Sequence, residues 1–192
     1  MIDIDNRTNT AGAYVLYDGY FVFMFGLSPR HRENELGVVR LGGHREKGES
    51  AVQCAIREVR EEASLDIDLY RNPCTYIEKK NRYQKMKGKK EINPILALKY
   101  KSKFSLMYLA HGSGALRPAM ETQGILLLHR ENIAMICGSK TTFGAYKSNG
   151  GKCILAQPLP EEATLVPHTQ LHFLHALFDL ESEMMAAFMK GC

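Results

Sequence analysis

Apolar and polar residues alternate most clearly at the front of the chain, where AYVLYDGYFVFMF (residues 13–25) forms two β-rich runs around Asp18-Gly19. Asp-Gly between such runs predicts a tight hairpin, because a type I′ turn needs positive φ at both central residues. A polar stretch, LSPRHRENELG, follows as a loop, and VVRL (Val38 to Leu41) is a short strand running into Gly42-Gly43. The period then changes. From Ala51, apolar residues Val52, Ala55, Ile56, Val59 and Ala63 fall on one stripe at 100° per residue. Ser50 with Gln53 three residues on fits a capping box, so the helix starts at Ala51.

Beyond this helix, the segment from Cys74 to Ala110 predicts strands with basic turns. Lys87-Gly88-Lys89 is the expected reversal, and Phe104 to Ala110 a strand. A loop from His111 to Pro118 precedes METQGILLLHRENIAMI, whose pattern suits helix and strand equally. KSNGGK (147–152) is a loop. Pro158 and Pro160 precede a last helix, starting at Glu161 or His168 and ending near Lys190. Its apolar arc is Leu171, Leu174, Phe178, Met185 and Phe188. His168, His172 and His175 occupy the opposite stripe, which reads as a polar face before it reads as a zinc site.

With 192 residues, the chain suits one domain with a core of its own. No apolar run approaches the roughly 20 residues of a membrane span. The polar, acidic start MIDIDNRTNT lacks the form of a secretory signal, and the expectation is a cytoplasmic protein. Five cysteines at irregular spacing, without a C-x-x-C pair, suit reduced thiols. Charge is unevenly placed. The window from Lys79 to Lys103 holds ten basic residues and Glu91, hence +9 against +4 for the whole chain, which leaves −5 elsewhere. Two readings stand for that window: an anion-binding surface in which Tyr83 and Tyr100 stack bases, or a lysine-rich β edge kept soluble by its charge.

The helix from Ala51 poses a sharper problem. Glu58, Glu61 and Glu62 share one turn beside the apolar stripe, with Glu62 nearest it and Arg57 and Arg60 on the far side. Like charges three and four residues apart repel by a few tenths of a kcal/mol per pair. Three hard oxygen donors at i, i+3 and i+4 are, in contrast, a suitable ligand set for a divalent cation. The spacing extends further: Gly43, five residues, Glu49, seven residues, then REVREEASL (57–65). This pattern resembles the Nudix box, G-x5-E-x7-R-E-U-x-E-E-x-G-U with U apolar, at every defined position except Ser64, where the family has glycine. Leu41 also stands where many members have proline.

The resemblance implies a Nudix α/β/α sandwich: a mixed, curved sheet between helices, with the box as a loop-helix-loop. It implies one Nudix domain over residues 1–192, with a core at about 12–136 and a C-terminal helical extension at about 158–190. Glu58 and Glu62 would be the principal ligands of Mg²⁺ or Mn²⁺, Glu61 would assist, and the Gly43 carbonyl would add a ligand. Arg57 would pair with Glu49 to hold the loop. The implied reaction is metal-dependent hydrolysis of a pyrophosphate bond in a nucleoside diphosphate linked to another moiety. Glu61 and Glu62 would belong to the catalytic set. The box does not supply the general base, for which Glu121 is the first candidate and Glu131 the second. A helix that reverses at Ser64 would require positive φ there. The partners implied are a nucleotide-derived small molecule, and dimers are common among similar proteins. An alternative is a nucleotide-sensing or RNA-binding module with little turnover. GAYKSNGGKC (144–153) fails P-loop spacing.

Overall fold

The computed structural model describes residues 7–28, 32–79 and 82–191. Strands β1 (Thr8–Tyr17) and β2 (Tyr20–Gly26) form the expected hairpin, with Asp18 at φ 49° and Gly19 at φ 80° in its turn. β1 is central. It pairs in parallel with β9 (Lys103–Ser113) from Thr8↔Phe104 to Leu16↔His111, and antiparallel with β4 (Leu41–His44).

Alternation along β1 sends successive side chains into two cores. Ala11, Ala13 and Val15 join the first, against α1 (Ala51–Ala63), which buries Ala51, Cys54, Ala55, Val59 and Ala63. Tyr14 and Leu16 join the second, against α4 (Thr169–Leu180) and α5 (Ser182–Lys190). Phe173 of α4 anchors that side, with its ring 6.3 Å from Tyr14, 5.7 Å from Tyr76 and 4.8 Å from Tyr83. A mixed sheet therefore lies between two helical layers, as the α/β/α expectation required.

The sheet runs β11-β10-β2-β1-β9-β8-β6-β7. Its outer strands are β6 (Cys74–Lys79), β7 (Arg82–Lys87) and β8 (Leu96–Tyr100) at one side, and β10 (Gly124–Leu128) and β11 (Lys152–Leu155) at the other. β5 (Asp66–Leu69) pairs with β9, and β3 (Glu35–Val39) pairs with both β2 and β12 (Thr164–Pro167).

Several sequence expectations change: the strand Val38 to Leu41 divides at Arg40 into β3 and β4, and the loop 147–152 is helical at its start, in α3 (Phe143–Ser148), and joins β11 at its end. β6 pairs antiparallel with β7 from Cys74↔Lys87 to Lys79↔Arg82, so Lys87-Gly88-Lys89 is not the reversal between paired strands. That segment ends β7 instead, where the Gly88 amide bonds the Pro73 carbonyl and Asn93 Oδ1 accepts from the Lys89 and Lys90 amides. The strand containing Phe104 extends through Ser113, because parallel pairing with β1 and antiparallel pairing with β5 support its far end. The ambiguous run divides into β10 and α2 (Arg130–Gly138), joined at His129. Finally, the C-terminal helix is two helices broken at Glu181, preceded by β12. Glu181 accepts hydrogen bonds from Tyr76 Oη (2.6 Å) and pairs with Lys85, so tertiary contacts fix the break. The C-terminal stretch supplies strands as well as helices.

Of the basic window, Arg82, Lys85 and Lys87 lie on β7, an edge strand with mostly exposed side chains, while Lys79, Lys99 and Lys103 lie on β6, β8 and β9. Lysines on such an edge discourage pairing with another chain. Tyr83 packs edge-on to Phe173, so it serves the core. Cys54, Cys74, Cys137 and Cys153 are free thiols. Among the described residues no helix is long and apolar enough to cross a membrane.

Candidate active site

α1 is held at both ends. At its start, Ser50 Oγ accepts from the Gln53 amide (3.1 Å) and Gln53 Oε1 accepts from the Ser50 amide (2.8 Å). This is the reciprocal capping box expected from the sequence. At its end, Ser64 adopts φ 57°, ψ 26°, and its amide bonds the Arg60 carbonyl. The left-handed conformation costs a non-glycine residue on the order of 1 kcal/mol. Ser64→Gly is therefore expected to raise stability by up to about 1 kcal/mol, read as a higher urea midpoint at unchanged slope.

Arg57 organises the loop before α1. Its Nε and Nη2 donate to Glu49 at 2.9 and 3.1 Å, and Nη2 also reaches the His44 carbonyl at 3.0 Å. The same guanidinium meets Glu58 at 2.9 Å and Glu61 at 2.8 Å. Arg57 is thus not on the far side of the helix from the carboxylates. Its long side chain bends back to them, while Arg60 pairs with Asp66. These pairs hold the Arg57 pKa well above its ordinary value, Glu49 contributing most. Glu49 in turn is held below the usual carboxylate range by Arg57.

Glu62 has a different environment. Its Oε2 accepts from the Gly42 amide at 2.7 Å. Burial nevertheless pushes its pKa up to about 7, aided by Glu58 and Glu61 and opposed by the Gly42 amide and Arg40. Glu58 lies against Gly43, where a Cβ would stand 2.3 Å from its Oε2, so a side chain at 43 would displace the carboxylate.

Arg40 is a member of this site that the sequence reading passed over. It joins β3 to β4 and is only 7% exposed. A Cβ at Gly42 would stand 2.0 Å from its Nη1, and one at Gly12 2.6 Å away, so both glycines leave room for the guanidinium. Its signal was available: a cation inside a four-residue apolar strand that ends in Gly-Gly.

Glu121 arrives through tertiary contact. The amides of Arg117 and Ala119 bond the Ala63 and Glu62 carbonyls, both at 3.2 Å, which satisfies two carbonyls at the end of α1. The loop so docked carries Glu121, exposed, to the wall of a cavity of about 490 Å³. Arg40, Gly42, Gly43 and His44 line the same cavity, together with Tyr100 and residues His168 to Gln170 at the start of α4. Glu131 lies on α2 and lines a different cavity with Phe178 and Met185. Of the three histidines, His168 precedes α4 while His172 is exposed on its outer side.

Among the described residues no three His, Cys, Asp or Glu side chains stand gathered as a metal cluster. Glu58 and Glu61 turn to Arg57, and Glu62 to the Gly42 amide. The donor chemistry still fits a divalent cation. With Glu62 ionised, Glu49, Glu58, Glu61 and Glu62 face two cations, Arg57 and Arg40, which leaves a formal balance of −2. Hard oxygens with that surplus are what Mg²⁺ or Mn²⁺ requires.

A helix carrying this carboxylate set, clamped beneath a Gly-Gly strand and beside a nucleotide-sized cavity, defines a Nudix-type loop-helix-loop. The family model for the NUDIX domain matches residues 10–123, and the chain belongs to that family. Similar solved structures include a NUDIX-family hydrolase from Clostridium perfringens, with 20% identity over 67% of this chain and 84% of that one, and a TM-score of 0.48. A C. elegans Ap4A hydrolase binary complex shares 18% identity over 65% and 83% of the two chains, TM-score 0.44. An ADP-ribose pyrophosphatase from Streptococcus suis shares 18% over 64% and 73%, TM-score 0.40. No curated protein matched.

Proposed function

We propose that this Nudix protein is a divalent-metal-dependent pyrophosphohydrolase acting on a nucleoside diphosphate linked to another moiety. The observation that carries the reading is the surplus of carboxylate on α1, one end of which is fixed by the Arg57–Glu49 clamp beside the Gly42-Gly43 strand. Glu58 and Glu62 are the residues assigned to hold Mg²⁺ or Mn²⁺, with Glu61 and the Gly43 carbonyl completing the protein's share. When bound, such a cation neutralises phosphate oxygens and lowers the pKa of a water.

The chain's own residues do the rest. Arg57 releases Glu58 and Glu61 from one another's repulsion and keeps the loop 45–50 in register with α1. The cavity takes the nucleotide, its volume falling within the range of small-molecule sites. Water oxygen bonds to phosphorus as the bridging P–O bond breaks, giving two phosphorylated products and one proton. Glu121, on the docked loop, is the carboxylate assigned to take that proton. Glu121→Gln is expected to lower kcat about 10²-fold with KM little changed; an unchanged kcat would remove it from the reaction.

The test of the reading itself is product release from a panel of nucleoside diphosphate derivatives, with and without Mg²⁺ and Mn²⁺. Turnover that requires the metal on at least one member is the expected result. Absence of turnover, with nucleotide still bound, would favour the sensing module. The basic edge strand gives that alternative little support, since Lys85 is paired with Glu181 and Tyr83 with the core.

A further inference from the structure

The interior position of Arg40 is unexplained by anything the box requires. Burying a guanidinium is costly unless its donors are paired. Arg40 has five N–H donors and, among the described residues, one hydrogen bond: Nη1 to the Ala11 carbonyl at 3.5 Å, the outer limit for such a bond. Its coupling to Glu62 and Glu58 is through space, without an ion pair to either. The side chain lines the 490 Å³ cavity instead.

The start of α4 lines the same cavity. Thr169 and Gln170 open the 12-residue helix α4 after its cap His168, and their two amides precede the first carbonyl-bonded amide, that of Leu171, which bonds the His168 carbonyl at 2.9 Å. The Gln170 carbonyl is occupied by Tyr14 Oη at 2.8 Å, and the His168 amide by the Val38 carbonyl at 3.2 Å, so the helix start is tied to β1 and β3 beside Arg40. A buried fork of donors and a helix N-terminus facing one cavity provide for an anion with several acceptor oxygens. Gly12 and Gly42, by lacking a Cβ, let the guanidinium lie within this gap.

We propose that Arg40 is a substrate-binding residue that takes a phosphate oxygen of the nucleotide at the inner end of the cavity, with the first turn of α4 closing on the same group. The inference deepens the hydrolase reading by stating which phosphorylated ligand the cavity discriminates: a nucleotide over its nucleoside. It gives the C-terminal residues 168–170 a binding role beside the box. Glu121, exposed on the same cavity, opposes a second negative charge near it, which leaves the buried Arg40 as the place for the phosphate.

The experiment is calorimetric titration of the metal-free full chain with AMP, adenosine and inorganic pyrophosphate, comparing wild type, Arg40→Lys and Arg40→Gln. Wild type should bind AMP about 10-fold or more tightly than adenosine, and Arg40→Gln should erase that difference. Arg40→Lys should retain part of it, because the charge stays while the planar fork is lost. Should the glutamine variant fail to fold, the Arg40 Nε–H resonance of wild type gives the answer by itself. It should move on adding AMP or pyrophosphate and not on adding adenosine.

Three results would overturn the proposal. One is wild type binding neither AMP nor pyrophosphate; another is a folded Arg40→Gln that keeps the preference for AMP. The third is weaker Mn²⁺ binding in the variant with the AMP–adenosine difference intact, which would make Arg40 a counter-charge for Glu62 and Glu58. Because no turnover is measured, a protein that discriminates AMP yet hydrolyses nothing would sink the hydrolase reading and leave this inference standing.

Discussion

Glu62→Gln is expected to lower metal-dependent turnover on the order of 10³-fold, the largest loss of any single change in the site. The substitution keeps size and the hydrogen bond from the Gly42 amide (2.7 Å), so the fold should persist. What disappears is one negative charge in a partly buried position beside Glu58 and Glu61. A cation held there would lose a ligand and part of the surplus that attracts it. The check is kcat/KM across a Mg²⁺ series, with the circular dichroism spectrum as the control for folding. Full activity at saturating Mg²⁺ would mean that Glu62 is not a ligand.

The same residue should govern the stability of the metal-free protein, in the opposite sense. Burial raises the folded-state pKa of Glu62 from 4.5 to about 7. A carboxyl so raised favours the folded state fully below pH 4.5, progressively less as pH rises, and not at all above about 7. Across that window the loss from this one group is on the order of 3 kcal/mol. Other groups titrate as well, so the measurement is the difference between wild type and Glu62→Gln in urea unfolding with chelator present. Wild type should weaken relative to the variant between pH 4.5 and 7. Addition of Mg²⁺ at neutral pH should restore wild type and not the variant. A parallel pH dependence in both proteins would show that Glu62 is not the strained group. Together the two results would place stability and activity in opposition at one residue, as is common where a site awaits a ligand.

The hairpin at Asp18-Gly19, the capping box at Ser50 and Gln53, and the turn at Ser64 are each set by residues within a few positions of one another. They were legible for that reason. The left-handed Ser64 was expected from where the helix had to stop, and its φ of 57° agrees. The pairing of Arg57 with Glu49 was equally local, spanning one loop and two helical turns. Even there the sequence placed Arg57 away from Glu58 and Glu61. A helical wheel fixes the direction of Cα–Cβ, whereas a guanidinium on a three-methylene stem can return to neighbouring carboxylates.

What failed to be legible depended on pairing across distance. That Gly88 ends a strand instead of reversing a hairpin follows from the register of β6 on β7, in which Cys74 faces Lys87. The break at Glu181 follows from Tyr76 and Lys85, over a hundred residues away in one case. The division of METQGILLLHRENIAMI into a strand and a helix was settled by β2 and β11, which give Gly124 to Leu127 partners on both sides.

Function divides along the same line. The sequence by itself determined the family, the helix and its carboxylates, because a ligand set on one helical turn is written in consecutive residues. Tertiary structure decided what stands around that turn. It docked the 114–123 loop on the last carbonyls of α1 and so brought Glu121 to the cavity. It also crossed β3 into β4 at Arg40 beneath two glycines, and set the start of α4 on the same cavity. Those groups lie some thirty to a hundred and thirty positions apart in the chain. The pairing of β1 with β4 and β9 and of β3 with β12, together with the loop docked on α1, makes them neighbours, because strand register fixes which distant side chains share a wall.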